Sequence, residues 1–322
     1  MSTLFSHFSE KINQISPLEH IFTEGLESIA LMPKTLYYYG KMPENMSKKR
    51  PKTVAIVGSR HNTKYGEEVA YHLAYELAKH QVVVVSGLAY GIDSIGHRGC
   101  LDAGGITVAV LGTRIDDIYP KKHYSLAEEI LRKNGVIISE YAPLGANNAP
   151  LAPAEYLKED GQRCLDVKTA FLYRNRIIAG LSDIVVVVEA AEKSGSLNTA
   201  THAIEQGKTV FAVPGNITNP YSQGCNKLIK QGAIPYTEPD DILRELYPEE
   251  YFKKQKKLKK SRLIGDTDVE TIILKAIADG NRKGEDIMRI THLPPEVFNQ
   301  TVTLLEIRGR LRALGQNTWS II

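Results

Sequence analysis

Six short apolar runs, each rich in β-branched residues and most of them stopping at a small or turn-forming residue, constrain this chain more than any other feature. They are Thr53–Val57 before Gly58-Ser59, Gln81–Val85 before Ser86-Gly87, Ile106–Leu111 before Gly112, Gly135–Ile138 before Ser139-Glu140, Asp183–Val188 before Glu189-Ala190, and Thr209–Val213 before Pro214-Gly215. Runs of this length without polar alternation need burial on both faces, the condition met in a parallel sheet covered by helices. The intervening segments have helical period; in Tyr65–Lys79, for example, Val69, Leu73, Ala74 and Leu77 share one face. Strand alternating with helix predicts an α/β fold with a doubly wound, mostly parallel sheet over residues 51–245. Such sheets bind ligands beyond the carboxyl ends of their strands, where the strand order reverses. Gly and Ser at nearly every strand end are therefore the first functional hint.

The rest of the chain divides around that domain. Residues 1–50 read as an N-terminal appendage, with Pro33 and three tyrosines among the apolar residues of Leu26–Tyr39. Residues 246–262 read as a basic linker, because Lys253 to Lys260 concentrates six lysines. A run this dense repels itself, and serves either as a solvated spacer or as an arm that meets a polyanion. Residues 263–322 predict a small C-terminal domain: helices over Val269–Ala278, Arg282–Ile290 and Val297–Arg308, then a hairpin turning at Gly315-Gln316-Asn317. Three helices and a hairpin make a winged helix, which is either a DNA reader or a protein-docking module.

Composition adds exclusions. The net charge is only +3, and the lysine-rich stretch accounts for it. Three cysteines (Cys100, Cys164, Cys225) have no ligand-like spacing, so neither a disulfide scaffold nor a metal site is expected, and a reducing cytoplasm fits best. No apolar stretch reaches the length of a bilayer span, and the first ten residues do not resemble a secretion signal.

Four clusters could carry chemistry. Gly58-Ser59-Arg60 places a hydroxyl and a guanidinium at the mouth of the first strand, a setting for phosphate or for an ordinary turn with a surface arginine. Ser86-Gly87 opens the second, where Asp93 reads as a helix cap and His97 as a local hydrogen-bond partner rather than a base. Lys168, Phe171, Arg174, Asn175 and Arg176 form the third. Aromatic faces stack bases and cations neutralise phosphates, so this mixture suits single-stranded nucleic acid. One of the two arginines is expected instead to hold a core carboxylate such as Glu189. Ser194-Gly195, at the start of a helix, makes a second anion-receptive end. No Walker lysine, paired carboxylates, catalytic triad or metal constellation emerges, so no catalytic residue, cofactor or metal is expected.

The ordered series V-A-I-V-G-S-R (54–60), V-V-S-G-L-A-Y-G-I-D (84–93), A-G-G-I-T-V-A-V-L-G (103–112), I-S-E (138–140), R-N-R-I-I-A-G-L-S (174–182), S-G-S-L-N-T-A (194–200) and V-F-A-V-P-G (210–215) resembles the DNA-processing protein A family (DprA, also called Smf). The resemblance implies an extended Rossmann-like domain that binds single-stranded DNA without hydrolysing it. It also implies a homodimer that loads the RecA recombinase in natural transformation, with a single-strand-binding protein as a further candidate partner. Family DNA contacts carry over onto Arg60, Lys168 and Phe171, with the R-N-R run beside them. Two departures stand out: the connection Leu144–Thr169 is long, and Leu172 replaces the usual proline after Phe171.

Two other readings compete. The nucleotide phosphoribohydrolases (LOG type) share the fold, but their Pro-Gly-Gly-x-Gly-Thr-x-x-Glu loop would fall on Ser194–Ala203, which lacks the extra glycine and the glutamate. A transcription regulator would rest on the winged helix alone.

Overall fold

The computed structural model describes residues 11–44, 49–143, 167–249 and 263–321. The chain forms two compact units that part after Leu246.

In the first unit every expected apolar run is a strand. The parallel strands are β3 (Thr53–Val57), β4 (Val83–Ser86), β5 (Thr107–Val110), β6 (Val136–Ser139), β7 (Ile184–Val187), β8 (Thr209–Ala212) and β9 (Ile234–Pro235). Two antiparallel strands, β1 (Asn13–Ile15) and β2 (Leu36–Gly40), complete a sheet of order β1-β2-β6-β5-β4-β3-β7-β8-β9. The chain runs outward from β3 to β6 and then returns to place β7 against the other side of β3, pairing Val54 with Ile184. The switch point is thus the gap beyond the ends of β3 and β7.

Alternate side chains serve opposite layers, as strand geometry requires. Ala55, Val57, Val83, Val85, Val185 and Val187 face a core shared with α4 (Val167–Leu181) and α5 (Gly195–Glu205). Ala109 and Ile137 face the other way, onto α2 (Ile92–Asp102) and α3 (Tyr124–Arg132). The helix expected around Tyr65–Lys79 is α1 (Lys64–Lys79), capped by Thr63 Oγ1, which accepts the Gly66 N–H. The unit ends in α6 (Gln223–Lys230) and α7 (Pro239–Leu246).

Residues 1–50 are not an appendage in their described part. β2 pairs antiparallel with β6 (Tyr38 opposite Ile138), and Phe22, Leu26, Ile29, Leu36 and Met42 are buried in the α4/α5 core. The strands were illegible because β2 carries three consecutive tyrosines with no period of two, and burial comes from partners a hundred residues away.

The second unit holds α8 (Asp268–Ala278), α9 (Gly284–Thr291), α10 (Pro295–Ile307) and a hairpin of β10 (Leu311–Gly315) and β11 (Thr318–Ile321). Gln316 and Asn317 both have positive φ (47° and 56°), the two-residue turn that suits strand twist. The core is closed by Phe298 meeting Trp319 edge to face, 5.5 Å between ring centroids.

Candidate functional site

The carboxyl edge of the sheet sorts the expected residues into those that hold the edge together and those that face outward. Gly58 belongs to the first group: a Cβ there would lie 2.7 Å from Ile92 and 2.9 Å from the Glu189 carbonyl. The Ser59 N–H donates to that carbonyl (2.7 Å), and its hydroxyl is spent on His61. Ser86 is fully buried and donates to the Ile56 carbonyl (2.6 Å). Gly87 has no room for a side chain because the Arg174 guanidinium fills that space.

The R-N-R run requires correction. Arg174, Asn175 and Arg176 are 3%, 7% and 4% exposed, and their side chains bond inward. Arg174 donates to the carbonyls of Gly87 (3.0 Å) and Val110, tying α4 to the ends of β4 and β5. Asn175 donates to the Gly195 carbonyl and to Asn198 Oδ1, both at 3.2 Å, joining α4 to α5. Arg176 holds Glu140 through two bonds (3.0 and 2.7 Å) and also donates to the Leu31 carbonyl. Neither arginine holds Glu189; that carboxylate accepts from the Thr63 N–H (2.8 Å) and hydroxyl (2.6 Å).

Beneath this edge lies Asp93, which reaches back to accept the Gly87 N–H (3.1 Å) rather than capping its own helix. Burial raises its pKa, opposed chiefly by the Arg174 guanidinium; burial in turn lowers that of Arg174 to about 10. His97 bonds Thr107 Oγ1 (2.7 Å), and burial lowers its pKa to about 3, so it is a neutral core group.

The outward set is smaller. Arg60 is exposed, and its guanidinium lies over the Phe171 ring, 5.4 Å from the centroid. Phe171 is half-buried, with the Arg174 guanidinium 5.8 Å from its centroid and Tyr119 5.4 Å away. Ser194 caps α5, its hydroxyl accepting the Ser196 N–H, and Gly195 is exposed. Lys168 lies on the first turn of α4, but its side chain is outside the described residues, as are residues 144–166 and the lysine run.

Sequence reasoning missed two residues here. Tyr90 and Tyr119 line, with Arg60, Ala89, Pro120 and Phe171, a shallow cleft of about 220 Å³ including its open mouth. Gly91 makes this possible. Its φ of 73° turns the chain, and its missing Cβ lets the backbone pass against the Ser59 carbonyl, bringing Tyr90 beside Arg60. A tyrosine inside a glycine loop just past a strand end was the available signal. Among the described residues no group of three or more His, Cys, Asp or Glu could hold a metal ion, and no helix is long and apolar enough to cross a membrane.

Fold and site define a class: an α/β protein of Rossmann-like topology with a guanidinium past the end of β3 and aromatic rings beside it at the ends of β4 and β5. The sequence model of the family described as DNA recombination-mediator protein A matches residues 13–247. The chain belongs to that family. It is 45% identical to protein Smf of Escherichia coli over 193 residues, 60% of this chain and 46% of that protein. It is 38% identical to the DNA processing protein DprA of Bacillus subtilis over 243 residues, 76% of this chain and 74% of that one. The chain thus spans about half the length of its Escherichia coli relative and three quarters of its Bacillus one. Among solved structures, DprA of Streptococcus pneumoniae superposes with a TM-score of 0.60 at 36% identity, covering 73% of this chain and 75% of that one. DprA of Helicobacter pylori, whose structure is described for its single-stranded DNA binding mode, gives 0.58 at 29% identity, covering 76% and 99%.

Proposed function

We propose that this chain binds single-stranded DNA along the carboxyl edge of its sheet, without cleaving it. In this reading it serves DNA processing in natural transformation by passing the strand to RecA, acting as a cytoplasmic homodimer. The observation that carries the DNA-binding reading is the exposed Arg60 seated on Phe171 at the carboxyl edge of the sheet, with two exposed tyrosines beside it. A guanidinium for phosphate and rings for bases are what a sequence-tolerant single-strand site requires. Lys168 and the start of α5 at Ser194-Gly195 complete the proposed site.

The second unit, read as a winged helix, fits protein docking better than duplex reading. Its third helix, Pro295–Ile307, contains no Lys or Arg, and Val297, Leu304 and Ile307 are exposed on it. A helix lying in a DNA groove needs cations for the flanking phosphates.

Titration of labelled oligo-dT against a duplex of equal length should show clear preference for the single strand; equal or stronger duplex binding would sink the proposal. Release of base from nucleoside monophosphates would revive the phosphoribohydrolase reading. Arg60→Ala should flatten the plot of log K against log salt by about 0.7, one phosphate on a single strand. Phe171→Ala should weaken oligo-dT binding by about 1–3 kcal/mol. Its melting temperature should change little, because the ring is only half-buried; an early-melting variant that still binds normally would make Phe171 a packing residue instead.

A further inference from the structure

In the free protein Phe171 offers a base only part of its ring, because guanidinium groups lie near it: Arg60 at 5.4 Å and Arg174 at 5.8 Å. The accessible aromatic surface beside it belongs to Tyr90 and Tyr119, which are 40% and 43% exposed. Two further exposed tyrosines of this unit are committed elsewhere: Tyr65 donates to the Pro214 carbonyl and Tyr71 to Asp102. The hydroxyls of Tyr90 and Tyr119 have no partner among the described residues. Both rings are nonetheless braced, Tyr90 edge-on against His123 (5.0 Å) and Tyr119 against Phe171 (5.4 Å). His123 is itself held by the Leu88 carbonyl (2.8 Å). A braced ring with an exposed face loses little freedom when a base settles on it, which is what a stacking platform needs. Three residues past Tyr119, the exposed Lys122 has no ion-pair partner among the described residues.

We propose that Tyr90 and Tyr119 are stacking platforms for successive bases, carrying the strand from Arg60 across the ends of β4 and β5 to a phosphate contact at Lys122. The proposal rests on the single-strand reading above and adds the strand's path. Tyr119 and Phe171 already touch, so no base slips between them; the base rests on the exposed face of Tyr119. The path therefore extends the proposed site from Arg60 to the β4/β5 side of the sheet, opposite the end at which α5 starts.

The test uses the full chain with oligo-dT of increasing length, each carrying a single photoreactive 5-iodouracil. Cross-links mapped by mass spectrometry should include Tyr90 and Tyr119. Tyr90→Ala and Tyr119→Ala should each weaken long oligonucleotides by about tenfold. The shortest oligonucleotides that bind should be nearly unaffected, and Tyr119→Phe should bind like the parent. A Tyr119→Ala loss that is equal at all lengths would mean a disturbed Phe171, and would overturn the platform role of Tyr119. Tyr90→Ala, which leaves Phe171 untouched, tests the path separately. Unchanged affinity in the double alanine variant, with cross-links confined to Arg60 and Phe171, would overturn the path while leaving single-strand binding intact. Failure of the parent protein to bind oligo-dT at any length would overturn both.

Discussion

Arg176→Ala should cost the first unit about 3–5 kcal/mol, a large share of the roughly 5–15 kcal/mol by which folded proteins are stable. The Arg176 and Glu140 side chains are 5% and 1% exposed and are joined by two hydrogen bonds, one of 2.7 Å. Removing the guanidinium leaves Glu140 buried without its counter-charge, and also drops the bond to the Leu31 carbonyl that holds the N-terminal segment to α4. An apolar replacement of the whole pair, Arg176→Met with Glu140→Leu, should recover most of the loss, because it leaves no stranded charge. Urea denaturation of the single and double variants measures both. A single-variant loss below about 1 kcal/mol, the scale of an exposed pair, would contradict the buried assignment.

Arg174→Ala should be of similar size, about 3–5 kcal/mol, for a related reason. Its guanidinium bonds the carbonyls of Gly87 and Val110 and is the main group opposing the effect of burial on Asp93. Without it Asp93 is a buried carboxylate supported chiefly by backbone N–H groups, and its pKa rises further. The folded state then holds a proton that the unfolded state, titrating near about 3.9, has released. Stability of the variant should therefore improve relative to the parent as pH falls towards that value. Arg174→Lys separates this role from DNA contact. It keeps the charge but loses the planar fork that reaches two carbonyls, so it should still destabilise. If Arg174 were a phosphate ligand, lysine would preserve stability and most of the affinity, and that outcome would restore it to the DNA-binding set.

Much of the architecture was legible because it is written in local pattern. Unbroken β-branched runs such as Val83–Val85 mean burial on both faces wherever they occur, and Gln316-Asn317 favours a tight hairpin turn whatever surrounds it. The proposed strand-end location of the site came from the same runs, and Arg60 with it, whereas Phe171 was singled out by the mixture of cations and aromatic residues before β7. What could not be read was the direction of α4. From Phe171 to Arg176 the helix carries apolar and charged residues on every side, and α4 turns Arg174 and Arg176 inward, where strand-end carbonyls and Glu140 satisfy them. That choice rests on groups 36 to 87 residues distant in the chain, so no local pattern encodes it. The same holds for β2, whose edge position is given by β6, and for Tyr90 and Tyr119, which meet the site only because the strand order brings three loops to one edge. The sequence by itself determined the six central parallel strands β3 to β8, the C-terminal hairpin turn and the end of the sheet at which the site is proposed. Tertiary structure decided which cations are spent inside the fold and which rings remain outside, because a buried charge goes where its partners are, and those partners meet only when the sheet is complete.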